Sequence, residues 1–354
     1  MPTEMSSDVR LHTPVMLAEV LTALAPQPGD LIIDGTFGAG GYSTAILETE
    51  PTCRVLAFDR DPTAIANAVP ITQRFPNRLN VVNWPFGDMS RIVRIECTPH
   101  GQPEVEGPLV DGVVFDIGVS SMQLDQAARG FSFQTEGPLD MRMSQSGDHA
   151  GPSAAELVNT LGPDELADIL FNYGDERRSR AIARAILKQR EIAPFVTTTD
   201  LVTVVGRVLG PAKIDGRSPA TRTFQALRIA VNDELGELAR GLTAAENLLK
   251  PGGRLVVVAF HSSEDRIVKQ FMANRTGRVP QGSRHMPPTQ AGRDTSFEFV
   301  NHRALGPGEA ETDVNPRARS AKLRSAVRTT AAAWPLDLAG LGVWQRPQLW
   351  QRPK

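Results

Sequence analysis

The stretch from Leu31 to Ser43 limits the fold of this chain more than any other. A short apolar run, Leu31-Ile32-Ile33, ends in Asp34 and breaks into Gly35, Gly38, Gly40 and Gly41, four glycines within seven residues. A helical pattern follows from Ser43 through Leu47. Strand, glycine-rich turn and helix in that order form the first βα unit of a doubly wound α/β sheet, where ligands sit beyond the carboxyl ends of the strands. Glycine suits such a turn because it admits positive φ and close backbone approach to a ligand.

Two details separate the turn from a dinucleotide fingerprint. Gly38 and Gly40 supply the first two glycines, but Ser43 stands at the third position. Asp34 precedes the turn directly, where a carboxylate repels a pyrophosphate but accepts from an ammonium or hydroxyl group. The pattern favours a nucleoside with a cationic amino-acid portion, such as S-adenosylmethionine, over NAD.

Further strands repeat the theme. Val55–Phe58 ends at Asp59, 19 residues beyond Gly40, the offset at which a carboxylate holds a ribose diol. Asp61-Pro62 makes the better helix cap, which leaves Asp59 for the ligand. Asn80–Asn83 is a third strand, and Phe86 after it suits either an adenine stack or the core. Gly112–Phe115 ends at Asp116 and leads into Ser120 and Gln123. Strands that are apolar throughout and alternate with helices predict a parallel sheet covered on both faces.

The sheet pattern then pauses. Residues 126–150 are polar and turn-rich, and from Ser153 every segment reads as helix, including a basic run with Arg177, Arg178, Arg180, Arg184, Lys188 and Arg190. A helix opened by Ser218-Pro219 runs to Leu249, and Arg254–Phe260 resumes the sheet. Phe297–Val300 and Ser325–Arg328 supply the last two strands, after a Gly/Pro/Arg-rich loop over 275–293. Near the N-terminus, Pro14 opens a short helix that includes Val15, Leu17, Val20, Leu21 and Leu24. The expected organisation is a core over 1–126 and 218–330, an all-helical insertion over 127–217, and a disordered tail over 331–354. In that tail Trp-Gln-Arg-Pro occurs at 344–347 and again at 350–353.

Charge divides along the same line. Residues 1–170 hold 9 Lys+Arg against 23 Asp+Glu, and residues 171–354 hold 29 against 17. A polyanion bound by the second half fits this asymmetry. The two cysteines, Cys53 and Cys97, suggest neither disulfides nor a zinc site and fit a reducing cytoplasm. The charged N-terminus argues against a signal peptide, and no apolar stretch reaches membrane-spanning length.

From His12 to about Arg328 the chain resembles the MraW (RsmH) methyltransferase family. The likeness is carried by His12-Thr13-Pro14-Val15, Asp34-Gly35-Thr36-Phe37-Gly38, Asp59-Arg60-Asp61-Pro62, and Asp116-Ile117-Gly118-Val119-Ser120-Ser121. It continues in Gln123-Leu124-Asp125, Arg129-Gly130-Phe131-Ser132-Phe133, Gly137-Pro138-Leu139-Asp140-Met141-Arg142 and Thr221-Arg222-Thr223-Phe224-Gln225-Ala226-Leu227-Arg228. Phe260-His261-Ser262, Glu264-Asp265-Arg266 and Asn315-Pro316-Arg317-Ala318-Arg319 complete it. The resemblance implies a Rossmann-like class I methyltransferase sheet, S-adenosylmethionine as cofactor, and N4 of a cytidine in 16S rRNA of the small ribosomal subunit as the acceptor. It implies cofactor contacts at Gly40, Gly41, Tyr42, Asp59, Phe86, Asp116 and Gln123, beside Gly38 of the glycine turn. Tyr42 stands where the family usually has His, Met122 where it has Pro, and Ser263 where it has Leu.

An exocyclic amine is a weak nucleophile, so transfer requires an acceptor for its protons. Asp116, Ser120, a backbone carbonyl and His261 are the candidates, and Phe131 or Phe133 would hold a base drawn out of its stack. Two other readings stay open: an NAD-dependent dehydrogenase, and a non-catalytic RNA-binding assembly factor that retains the fold.

Overall fold

A computed structural model describes residues 14–145, 150–210, 218–278 and 293–344. His12 and Thr13, most of the 275–293 loop and the second Trp-Gln-Arg-Pro lie outside the described residues. The first half alternates as the sequence predicts: α1 (Leu17–Leu24), β1 (Leu31–Asp34), α2 (Gly41–Thr49), β2 (Arg54–Phe58), α3 (Pro62–Arg74), β3 (Leu79–Val82), α4 (Met89–Cys97), β4 (Val110–Asp116) and α5 (Ser121–Asp125). Four helices follow without a strand, α6 (Ala154–Thr160), α7 (Pro163–Gly174), α8 (Ser179–Arg190) and α9 (Thr198–Leu209), then α10 (Thr221–Asn232) and α11 (Glu234–Leu248). The chain closes with β5 (Leu249–Ala259), α12 (Ser262–Arg275), β6 (Phe297–Phe299), α13 (Glu309–Val314) and β7 (Lys322–Arg328).

The strands form one sheet in the order β3-β2-β1-β4-β5-β7-β6. The pairs from β3 to β5 are parallel, and β7 runs antiparallel between β5 and β6. This is the Rossmann-like class I methyltransferase order, with its switch point between β1 and β4. Apolar side chains cover both faces. Ile32, Val55, Val114 and Val256 belong to the cluster under α1 and α2. Ile33, Phe115 and Val257 belong to a second cluster that runs without a break into Leu157, Leu170, Ile186 and Val204 of the helical block. The helices of the insertion bury their apolar stripes against one another and against α10, which makes their core continuous with the one under the sheet.

Three expectations need correction. The first helix begins at Leu17 rather than Pro14, because Met16 takes a left-handed conformation at φ 53°. Pro14 instead lies against Gly41, where a Cβ would collide with its ring. The single helix expected over 218–249 is two, broken at Asp233, which is left-handed at φ 50°. Residues 331–344 pack onto the protein instead of forming part of a disordered tail. The Trp334 N–H donates to Glu246 Oε1 at 3.0 Å, Leu341 and Val343 are buried, and the Trp344 ring meets Tyr173 edge-on at 5.3 Å. No helix among the described residues is long and apolar enough to cross a membrane.

Candidate active site

A cavity of about 400 Å³ opens at the carboxyl edge of the sheet, over the switch point. One wall is made of strand-end loops: Gly38, Gly41 and Tyr42 after β1, Asp59 after β2, Phe86 after β3, and Asp116, Ser120 and Gln123 after β4. Arg60, Asp61, Met143, Arg228, Glu234, Glu237, Phe260, His261, Asn315 and Arg317 also line the cavity. Of the cofactor contacts and proton acceptors expected from the sequence, all but Gly40 line this space. Gly40 turns at φ 78°, and a Cβ there would come within 2.7 Å of Ile71 and Phe37, so it is a glycine for packing.

Asp34 is fully buried and stays behind the loop rather than facing a ligand. It accepts from the Thr36 amide at 3.1 Å and from the Ser43 hydroxyl at 2.7 Å, fixing the turn against α2. Burial raises its pKa against those two bonds. Ser43, the residue that breaks the dinucleotide pattern, is thus the partner of Asp34.

Asp59 is less free than its sequence context suggests. Asp61 does cap α3, accepting from the Thr63 amide at 2.9 Å. Yet both oxygens of Asp59 accept backbone amides as well, Oδ2 from Gly38 at 2.8 Å and Oδ1 from Asp61 at 2.8 Å. Burial pushes the Asp59 carboxyl up to about 6, against those bonds. Each oxygen keeps one further acceptor position, and the residue lines the cavity.

Asp116 is strongly perturbed. Its backbone amide donates to Thr36 Oγ1 at 2.6 Å, which locks the end of β4 to the glycine turn. Its Oδ1 is buried without a hydrogen-bond partner. Burial pushes the carboxyl up to about 8, and the nearby Asp34 and Glu264 carboxylates add to the rise.

Several candidates carry local structural duties. The Ser120 hydroxyl caps α5 by accepting from the Gln123 amide at 3.2 Å, and Gln123 returns its Oε1 to the Ser120 amide at 3.0 Å. Gln123 Nε2 also donates to Asp61 at 2.8 Å. Tyr42 is buried, and its hydroxyl donates to the carbonyl of Val15, a residue that also lines the cavity. Phe86 sits 5.0 Å from Phe115, ring to ring. Phe131 and Phe133 do not reach the cavity: Phe131 lies under the Arg129 guanidinium, and Phe133 packs edge-on against Phe224 at 4.7 Å.

The sequence reading missed Glu264. It lies three residues past His261 and accepts the Phe260 and His261 amides at 3.1 and 3.0 Å, fixing the loop that presents His261. Its second oxygen has no hydrogen-bond partner and lies 3.8 Å from Arg228. Burial pushes it up to about 7, with Arg228 pulling the other way. A glutamate at the third helical position is a capping signal, and that signal was present in the sequence.

Outside the cavity, Arg177, Arg178, Arg180, Arg184 and Lys188 are exposed along α8 and its entry. None of the five takes part in an ion pair among the described residues.

The MraW methylase family matches residues 9–329. The ribosomal RNA small subunit methyltransferase H of Hyphomonas neptunium is 54% identical over 332 residues, covering 94% of this chain and 92% of its own. Proteins of the same name from Methylobacterium nodulans and Parvibaculum lavamentivorans are 56% and 54% identical, over 90% and 96% of this chain and 91% and 95% of theirs.

Proposed function

The chain belongs to the MraW methylase family, and from that premise we propose that it transfers a methyl group from S-adenosylmethionine to N4 of a cytidine in 16S rRNA. The acceptor would be the small ribosomal subunit or its RNA, in the cytoplasm. The observation that carries the reading is Asp116, a buried carboxyl with an unpartnered oxygen at the switch-point cavity.

The residues present fit the cofactor. Asp59 offers acceptor positions for a ribose diol beside the Gly38 turn, Phe86 offers a ring for an adenine, and Asp116 a further acceptor. S-adenosylmethionine supplies an electrophilic methyl group when bound. The chain's own residues must hold a cytosine amine in line and accept hydrogen from it, which lets the nitrogen lone pair localise. Asp116 suits that role, since its carboxyl lines the cavity and a carboxyl oxygen gains a hydrogen bond on meeting an N–H donor. His261, which lines the same cavity, is a second acceptor. Ser120 is the weaker candidate, since its hydroxyl already caps α5. The unpaired cations of α8 supply a face for RNA phosphates.

The test is methyl incorporation from labelled S-adenosylmethionine into small subunits that lack the modification, followed by nucleoside analysis. N4-methylated cytidine is the expected product. Binding of subunits without incorporation would leave an assembly factor, and stabilisation by NAD alone would return the dehydrogenase.

A further inference from the structure

Residues 59–61 all line the cavity. Arg60 and Asp61 also grip the two segments that lead into and out of the helical block. Asp61 Oδ2 accepts from Arg129 at 2.8 Å, and that guanidinium donates in turn to the carbonyls of Arg142 and Met143, each at 3.1 Å. Arg60 holds the other root: both terminal nitrogens donate to the Asn232 carbonyl at 3.0 Å, and one pairs with Glu237. The roots are also joined to each other, since the Asn232 side chain accepts the Met143 amide at 2.9 Å and donates to the Met141 carbonyl at 2.7 Å.

These contacts are sealed from water. The Asp61 and Arg129 side chains are each 5% exposed, and Glu237 is 1% exposed. Two buried ion pairs with geometric partners on both sides are poor devices for bulk stability, because desolvation offsets much of the attraction. They are effective at holding two segments in one register. One end of the assembly is the backbone of Asp61, whose amide donates to Asp59 itself.

We propose that Arg60 and Asp61 are positioning residues that couple occupancy of the cofactor cavity to the placement of the RNA-recognising helical block. The inference rests on the cofactor and RNA reading given above. A ligand that engages Asp59 orders the loop from Asp59 to Asp61, and through Arg60 and Arg129 that order reaches both roots. Coupling of this kind is reciprocal. RNA docked on the helical block must tighten cofactor binding by the same factor as cofactor tightens RNA binding.

The experiment uses the whole protein, S-adenosylhomocysteine and isolated small ribosomal subunits. In the unaltered protein, each ligand should raise the affinity of the other at least about fivefold, the lower end of common coupling factors. Arg60→Lys keeps the charge but loses the two-pronged grip on Asn232. It should bring the coupling factor below twofold. Arg129→Lys, at a residue outside the cavity lining, should do the same while leaving the affinity for S-adenosylhomocysteine alone within threefold. A purely structural role would shift both single-ligand affinities and leave their ratio intact, and that result overturns the proposal, as does a factor of one in the unaltered protein. Should the variants fail to fold, hydrogen exchange on the unaltered protein decides. S-adenosylhomocysteine must slow exchange at 141–144 and 228–234, and unchanged exchange there refutes the coupling. Absence of any S-adenosylhomocysteine binding would instead sink the functional reading itself.

Discussion

Asp116 and Arg184 are both ionisable groups of one chain, but they meet opposite surroundings. Asp116 ends a central strand inside a cavity, with one oxygen unpartnered and other carboxylates nearby. Arg184 stands exposed on α8 without an ion pair among the described residues. In the cavity, charge is expensive and is placed to within a hydrogen bond. On α8 it is inexpensive, long-ranged and screened by salt over about 8–10 Å. The cavity is therefore suited to select one small ligand and one base. The helical face is suited to attract a polyanion without reading it.

Breaking the cavity side should give the largest effect. Asp116→Asn keeps the shape but loses the proton-accepting carboxylate, and methyl transfer should fall about 10²–10⁴-fold, the usual contribution of a positioned acid or base. Initial rates with small subunits check it, and retention of most of the activity would hand the acceptor role to His261. The same variant has a pH signature. Folding raises the Asp116 carboxyl from its ordinary 3.8 to about 8, so the folded state holds this proton to higher pH than the unfolded state. Its contribution to stability is complete below about pH 4 and is lost as pH rises through 8. Denaturant unfolding between pH 5 and 8 should show stability falling more steeply in the natural protein than in Asp116→Asn.

Asp59 should come next. Asp59→Ala removes an acceptor that also receives the Gly38 and Asp61 amides. It should weaken S-adenosylmethionine binding by roughly 1.5–3 kcal/mol, the scale of hydrogen bonds to charged groups. Calorimetric titration measures it, and an unchanged affinity takes Asp59 out of the cofactor site.

The helical face should respond in salt dependence rather than in chemistry. Replacing Arg177, Arg178 and Arg184 with Gln should weaken RNA binding and reduce the magnitude of the salt slope by up to about 2.7, at roughly 0.9 per lost phosphate contact. Affinity for S-adenosylmethionine should stay the same. Among the described residues these arginines do not pair with Asp175 or Glu176. An unchanged slope would move the RNA track to exposed Arg319, since Arg317 is engaged by Asp125 and Lys322 and Arg324 by Asp265.

The two regions were not equally legible in the sequence. The cavity was, because its parts are local in the chain: an apolar run, a carboxylate at its end, then glycines or a cap. The same logic placed β1, β2 and β4 and named Asp59 and Asp116 before any geometry. What it could not read were partners far apart. Asp233 breaks a helix whose pattern of leucines continues across it, beside the Asn232 carbonyl that Arg60 holds from 172 residues away. Residues 331–344 look like a tail by composition, yet Trp334 finds Glu246, 88 residues back. Phe131 and Phe133 were plausible base holders by type, and packing against Arg129 and Phe224 took them elsewhere.

Tyr42 lies on the boundary of the comparison and should give the smallest effect. It lines the cavity by position, so a reading based on lining alone would make it a cofactor contact. Its one polar atom instead donates to the Val15 carbonyl, tying α2 to the segment before α1, and burial raises its pKa well above the usual phenol value. The phenol is therefore a neutral donor across the physiological pH range and an apolar wall toward the ligand. Tyr42→Phe deletes only that donor and should cost about 0.5–1.5 kcal/mol of stability, the net value of one such bond. Tyr42→His, the residue the family usually carries there, keeps a ring with an N–H donor and should retain both cofactor binding and transfer. Thermal unfolding and cofactor titration of the two variants separate the roles. If Tyr42→Phe leaves stability unchanged but weakens S-adenosylmethionine severalfold, the hydroxyl serves the ligand, and the wall after β1 is polar where this structure makes it apolar.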